Sequence, residues 1–457
     1  MESVLRVSVR YVRYPSSCLN PPNGLLRNPF GHLESVKPNH GAITQHASML
    51  DWQTGPRGLW NAGVGVQFLP SRLTQRLATS PGLMHTPSEL PPAHDKVLFT
   101  PGPLTTSLSV KQAMLHDAGS WHFDFNAKVK RVREKLLSIA GLTRERGWET
   151  ILLQGSGTFG VEAVFATCVP PTGKVCVLAN GAYGERMLLM LEHLRIEHVV
   201  LRTPENTPND PKALDGLLQT DPAITHVAFV HCETTTGILN PIAEIGQIVQ
   251  RHRRVFVVDA MSSFGAIPID FDATPIDYLI SSANKCLEGV PGFCFVIGRR
   301  DDLLACEGFA RSLSLNLVGQ LKGFDHNGQF RYTPPTHSIL AFDQALKELE
   351  LEGGIAARGA RYRRNHETLL AGMTRLGFHA YLPAKVQSFI ITSFRYLDDP
   401  RFSFDEFYRR LSTKGFVIYP GKISQADTFR IGSIGRIFEP DIRSLLAAIG
   451  ETLQEMR

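Results

Sequence analysis

The 457-residue sequence has no run of about 18 apolar residues, so no membrane-spanning helix is expected. Cysteine is sparse: Cys18, Cys168, Cys176, Cys232, Cys286, Cys294 and Cys306 are an odd number with no CxxC spacing. That argues against both a disulfide framework and a zinc site, and suits a reducing compartment. The net charge of +5 is mild for this length, and the short basic clusters Arg251-His-Arg-Arg254 and Arg361-Tyr-Arg-Arg364 read as solvated helix faces. No dense basic stripe with interleaved aromatics appears, so nucleic acid is not an expected partner. Acids are scarce in the first ninety-odd residues, where Glu2, Glu34, Asp51 and Glu89 stand against Arg6, Arg10, Arg13, Arg27, Lys37, Arg57, Arg72 and Arg76. Proline and glycine interrupt every candidate helix there. Residues 1–93 are therefore expected to be an extension outside the fold, disordered or targeting, with a transit-peptide-like composition. The expected compartment is cytoplasmic or mitochondrial.

From about Lys96 the texture changes. Apolar, strand-like runs occur at 151–153, 174–179, 226–231, 255–259, 277–281 and 293–297, with helical patterns between several of them, such as Pro241 to Arg251. This alternation predicts an α/β fold: a mostly parallel sheet with helices on both faces. Ligands of such sheets bind beyond the C-terminal strand ends. Gly155, Asn180, Glu233, Asp259 and Lys285 all fall at or just past such ends. After Arg331 the pattern shifts again. A helical stretch from near Ser338 breaks at Gly353-Gly354, and shorter strand-like and helical runs follow. We read residues 94–337 as a large ligand-binding domain and 338–457 as a smaller C-terminal α+β domain.

Gly155-Ser-Gly-Thr-Phe-Gly160 joins a short buried strand to a helix. Glycines there let the backbone approach an anion, and the helix N-terminus supplies free N–H groups and a favourable dipole. The same stretch matches a dinucleotide fingerprint. That motif would want an acid about 20 residues on, but the next strand ends in Asn180-Gly181. A dinucleotide site is disfavoured for lack of that acid. Tyr183, in the following loop, is a candidate to stack on a planar ring, although a tyrosine there is more often simply packed.

Two further strand ends add the chemistry. Val255-Phe-Val-Val258 delivers Asp259, and Asp277-Tyr-Leu-Ile-Ser-Ser-Ala-Asn284 delivers Lys285. Alone, such a lysine is usually a surface charge and such an aspartate often a helix cap. Together with a phosphate cradle they are what a pyridoxal phosphate enzyme requires. The lysine amine forms a Schiff base with the cofactor, and the aspartate keeps the pyridine nitrogen protonated.

These residues lie in long stretches with a family likeness: Leu98-Phe-Thr-Pro-Gly-Pro-Leu-Thr-Thr106, Asn180-Gly-Ala-Tyr183, Glu233-Thr-Thr-Thr-Gly237, Val258-Asp-Ala-Met-Ser-Ser-Phe264, Ser281-Ser-Ala-Asn-Lys-Cys286 and Phe429-Arg-Ile-Gly432. From about Lys96 to the C-terminus the chain resembles the 2-aminoethylphosphonate–pyruvate transaminases, a class V branch of the fold type I pyridoxal phosphate enzymes. The resemblance implies pyridoxal 5'-phosphate as cofactor, and 2-aminoethylphosphonate and pyruvate as substrates. It implies that Lys285 holds the cofactor and shuttles the proton, that Asp259 pairs with the pyridinium, and that Ser156, Gly157 and Thr158 bind the phosphate. It further implies that Tyr183 stacks on the ring, that Thr234 and Asn284 lie close to the cofactor, and that Arg430 grips the acidic end of the substrate. Thr333 is expected to reach the cofactor phosphate of a neighbouring subunit, which makes the active unit a homodimer.

The nearest rival is another class V transaminase, of alanine–glyoxylate or serine–pyruvate type; those usually place tryptophan where Tyr183 stands. A nicotinamide-dependent dehydrogenase lacks its ribose carboxylate here. An interaction protein without catalysis would have no need of Lys285, Asp259 and Arg430 together.

Overall fold

The computed structural model describes residues 94–423 and 426–457. The extension expected over 1–93 lies outside the described residues. Among them, no helix is long and apolar enough to cross a membrane.

A seven-stranded sheet forms the centre. Its strands are β1 (Trp148–Gln154), β2 (Lys174–Ala179), β3 (Glu197–Arg202), β4 (Ile224–Val230), β5 (Val255–Asp259), β6 (Tyr278–Ser282) and β7 (Phe293–Arg299), in the order β1-β7-β6-β5-β4-β2-β3. The five strands from β6 to β3 run parallel. β7 is antiparallel to both β6 and β1, with Cys294 opposite Ser282 and Phe293 opposite Gln154. Two reversals restore the direction. The C-terminal end of β1 therefore lies on the same rim as the ends of β6, β5, β4 and β2, and that rim gathers the site. Val257, Val258, Leu279, Ile280, Phe295 and Val296 have no exposed surface. This matches the continuous apolar runs expected of strands covered on both faces. Edge strand β3 escaped the sequence reading because Glu197 and Arg202 are exposed and the residues between them are only half-buried, which leaves no continuous apolar run.

Helix α1 (Gly157–Cys168) follows β1, α2 (Ala182–His193) follows β2, and α3 (Ile242–Arg251) precedes β5. α4 (Thr336–Glu352) sends Ile339, Phe342, Leu346 and Leu349 into the same core. Gly353 ends it in a left-handed conformation (φ 105°) that a side chain would resist. Beyond it, α5 (Gly354–Arg375), α6 (Phe404–Thr413), α7 (Glu439–Glu455) and the antiparallel strands β8 (Ile391–Arg395), β9 (Tyr419–Pro420) and β10 (Thr428–Gly432) enclose a separate, phenylalanine-rich core. Phe378, Phe394, Phe407 and Phe429 are buried there, joined by Phe99 from the start of the fold. Val97 and Leu98 pair in parallel with Phe416 and Val417. Arg430 occupies the middle strand of the small sheet, opposite Ser393 on one side and Tyr419 on the other.

Candidate active site

A cavity of about 270 Å³ opens at the sheet rim, lined among others by Gly102, Ser156, Gly157, Thr158, Tyr183, Arg186, Thr234, Asp259, Met261, Asn284 and Lys285. Eight of the ten residues singled out from the sequence thus share one space. Ser156 is the N-cap of α1, yet its hydroxyl makes no capping bond to the helix. The first N–H groups of α1 and this free hydroxyl form an anion cradle at the positive end of the dipole. The Thr158 hydroxyl accepts a bond from Arg186 Nη1 at 3.2 Å, which brings a guanidinium to the same place.

Asp259 ends β5 with one carboxylate oxygen accepting the Met261 N–H at 2.9 Å. Burial pushes its carboxyl up to about 7, and the buried Glu233 pushes the same way, while Lys285 and Arg186 pull it down. Lys285 sits three residues past the end of β6, and its Nζ donates to the Pro101 carbonyl at 2.6 Å. Burial lowers its amine to about 8, and Arg430 adds to the effect while Asp259 opposes it. Gly102 faces this lysine. A Cβ there would come within 2.8 Å of Lys285 Cδ and 2.7 Å of the Asn284 carbonyl, at a φ of +108° that side chains avoid. Gly102→Ala is accordingly expected to displace the lysine and weaken cofactor retention, measured by dialysis of the loaded protein; unchanged retention would show that the space is not needed.

The Lys285 turn is braced from behind. Glu288, buried and in a left-handed conformation (φ 58°), donates its N–H to the Lys285 carbonyl at 2.8 Å. Its carboxylate accepts from Tyr362 Oη and Arg361 Nη2, both at 2.6 Å. Arg361 also donates to the carbonyls of Gly435 (2.6 Å) and Ile437 (2.9 Å), in the loop that follows β10. One buried guanidinium therefore joins the lysine turn to the chain just beyond Arg430.

Arg430 lies beside the cavity rather than in its lining. Its Nε donates to Pro420 O at 3.0 Å and its Nη1 to Thr234 O at 2.9 Å, so the guanidinium is fixed by two backbone carbonyls, and Nη2 has no partner among the described residues. Burial lowers its pKa from the ordinary value. Thr333 is not brought to this cavity within the chain. It is exposed, its carbonyl accepts from Gln154 Nε2 at 3.3 Å, and it lines a separate recess with Trp121 and Tyr332.

The sequence reading missed four residues of this neighbourhood. Arg186 follows Tyr183 by one helical turn on α2, and its guanidinium lies 4.9 Å from the Tyr183 ring centre; the i, i+3 spacing could have exposed it. Met261 presses on Gly157, where a Cβ would meet its sulfur at 2.3 Å. Gly102 comes from a distant segment. Lys422 sits in the loop after β9, with its Nζ 4.4 Å from the Tyr183 ring centre, and nothing in its local sequence marks it.

This donor set fits a planar, phosphate-bearing ring with an aldehyde: an anion cradle after β1, a carboxylate at the end of β5 on the same rim, and the Lys285 amine after β6, which lies between those strands in the sheet. Residues 109–399 match the profile of the family described as Aminotransferase class-V. A 2-aminoethylphosphonate–pyruvate transaminase of Salmonella paratyphi C is 52% identical over 355 residues, covering 77% of this chain and 96% of the relative. One from Salmonella heidelberg is 51% identical over 363 residues, covering 79% and 98%. Among solved structures, pyridoxamine–pyruvate aminotransferase from Mesorhizobium loti superposes with a TM-score of 0.72 at 24% identity, over 80% of this chain and 94% of its own. An alanine–glyoxylate aminotransferase from Nostoc gives 0.72 at 22%, over 83% and 98%; at such identities these two speak for the fold alone.

Proposed function

The chain belongs to the class V aminotransferases, and from that premise we propose that it moves the amino group of 2-aminoethylphosphonate to pyruvate, giving phosphonoacetaldehyde and L-alanine. The observation that carries this reading is a likeness of about half the residues, over nearly the full length of relatives bearing that activity. Pyridoxal phosphate supplies an aldehyde that takes up the amino group and a ring that draws electrons from the neighbouring carbon.

The chain's own residues then divide the work. Lys285 is the covalent anchor, and its lowered pKa favours the neutral amine that can act as nucleophile and base. Asp259 supplies a carboxylate to the protonated ring nitrogen. Ser156, Gly157 and Thr158 hold the phosphate at the α1 N-terminus. Tyr183 covers the ring, Thr234 and Asn284 border it, and Arg430 binds the acid group of the substrate through a charged fork. Thr333, exposed and outside the cavity, is suited to reach a second copy in a homodimer. Residues 94–337 carry the cradle, Asp259 and Lys285, while 338–457 carry Arg430.

The deciding experiment adds 2-aminoethylphosphonate to the loaded enzyme without a keto acid and follows the visible absorbance. Loss with this donor, but not with L-serine or glycine, and restoration by pyruvate are the expected results. Loss only with ordinary amino acids would move the chain to the alanine–glyoxylate group.

Uptake of cofactor by the stripped protein should also depend on pH. Lys285 is protonated below about 8 and Asp259 below about 7. Acidification thus removes both the nucleophilic amine and the ring's counter-charge. The uptake rate should fall steeply from pH 8.5 to 6; a flat profile would contradict these ionisations.

A further inference from the structure

The two substrates of the proposed reaction differ where they are charged. In alanine or pyruvate, the reacting carbon bears the carboxylate directly. In 2-aminoethylphosphonate, one more carbon separates it from phosphorus, so the anion lies ~1.5 Å further out. It is also larger, with three acceptor oxygens and up to two charges, against two oxygens and one charge. One guanidinium already fixed by Pro420 and Thr234 cannot meet both anions equally well.

The structure places a second cation at this end. Lys422 Nζ lies over the Tyr183 ring, in the loop that begins after Pro420, the residue whose carbonyl holds Arg430. Among the described residues, no carboxylate forms an ion pair with Lys422, Arg186 or Arg430. Glu233 is the nearest candidate, but it is fully buried and engaged. Its Oε1 accepts from the Thr235 N–H and hydroxyl, and its Oε2 accepts from the N–H groups of Tyr183 and Gly184. Lys422 and Arg186 thus both lie over the Tyr183 ring, and Arg430 lies 5.7 Å from the Tyr419 ring centre, with no mobile counter-charge among the described residues. Arg186 is turned toward the phosphate cradle by its bond to Thr158, which leaves Lys422 and Arg430 on the substrate side. Partial desolvation, and then the positive charges of Arg186 and Arg430, lower the pKa of Lys422, an arrangement that an incoming dianion relieves.

We infer that Lys422 and Arg430 together form the phosphonate subsite, Lys422 being the residue that selects the phosphonate donor over a carboxylate donor. This rests on the function proposed above. Arg430 serves both half-reactions, and Lys422 reaches only the anion held one carbon further out.

The test compares the wild type with Lys422→Gln and Lys422→Arg, all loaded with cofactor. Binding of ethylphosphonate, which has no amine and cannot react, is measured by calorimetry beside propionate. KM for 2-aminoethylphosphonate is measured beside KM for L-alanine in the reverse direction. Loss of one charge-assisted contact corresponds to a weakening of roughly 10- to 100-fold. Lys422→Gln should show this for ethylphosphonate and for KM of the phosphonate donor, with propionate and L-alanine little changed, and Lys422→Arg should recover most of it. Equal weakening of both anions, or none of either, would overturn the subsite. If the wild type fails to convert 2-aminoethylphosphonate at all, the proposed function itself fails. If it converts it and Lys422→Gln is unaffected, only the subsite does.

Discussion

Lys285→Ala is expected to lower turnover by at least ~10⁴-fold and to abolish the visible absorbance of the covalently held cofactor. The residue combines two functions no neighbour can replace. In the proposed reaction it anchors the cofactor aldehyde, and burial lowers the pKa of its amine so that it can also carry a proton; positioned proton transfer alone is worth about 10² to 10⁴. The protein should still fold, because the Lys285 turn is held through backbone atoms, the Lys285 carbonyl accepting the Glu288 N–H. It should also still bind the cofactor loosely, because Ser156, Gly157 and Thr158 do not depend on the lysine. Absorbance and single-turnover measurements with 2-aminoethylphosphonate check this. A variant that keeps a covalent chromophore or measurable turnover would show that another amine is the anchor.

Asp259→Asn should weaken cofactor binding by roughly 100-fold or more, since leaving a buried cation without its partner costs about 3–5 kcal/mol. The change is nearly isosteric. The amide oxygen can still accept the Met261 N–H that the carboxylate accepts now, so local structure is kept while the charge is lost. What remains bound should turn over slowly, because an unprotonated ring draws electrons poorly. Titration of stripped protein with cofactor gives the affinity. Unchanged affinity would mean that Asp259 does not face the ring nitrogen.

The large sheet was legible because its central strands are apolar along their whole length; Val255–Asp259 and Phe293–Arg299 begin where the runs at 255 and 293 begin. The site was legible to the same extent, since Ser156, Asp259 and Lys285 lie at or near strand ends and a parallel sheet puts such ends on one rim. The antiparallel insertion of Phe293–Arg299 was not legible, because its apolar pattern says nothing of direction. Gly102 and Lys422 were not either. Each comes from a loop far along the chain, and only the closed fold sets Gly102 against Lys285 and Lys422 over Tyr183. Thr333 marks the limit of a single chain, since its expected role needs a second copy.

Arg361 bears on how the molecule comes apart. Its bonds run both to Glu288, behind the lysine turn, and to the carbonyls of Gly435 and Ile437, behind Arg430. The lobes cannot part there without stranding the buried Glu288 carboxylate, which Arg361 and Tyr362 satisfy. Heat should therefore melt the two cores of the described chain in a single calorimetric transition. A cofactor gripped mainly by the sheet rim should raise the melting temperature of the phenylalanine-rich core by the same amount as that of the sheet, by mass action on one shared equilibrium.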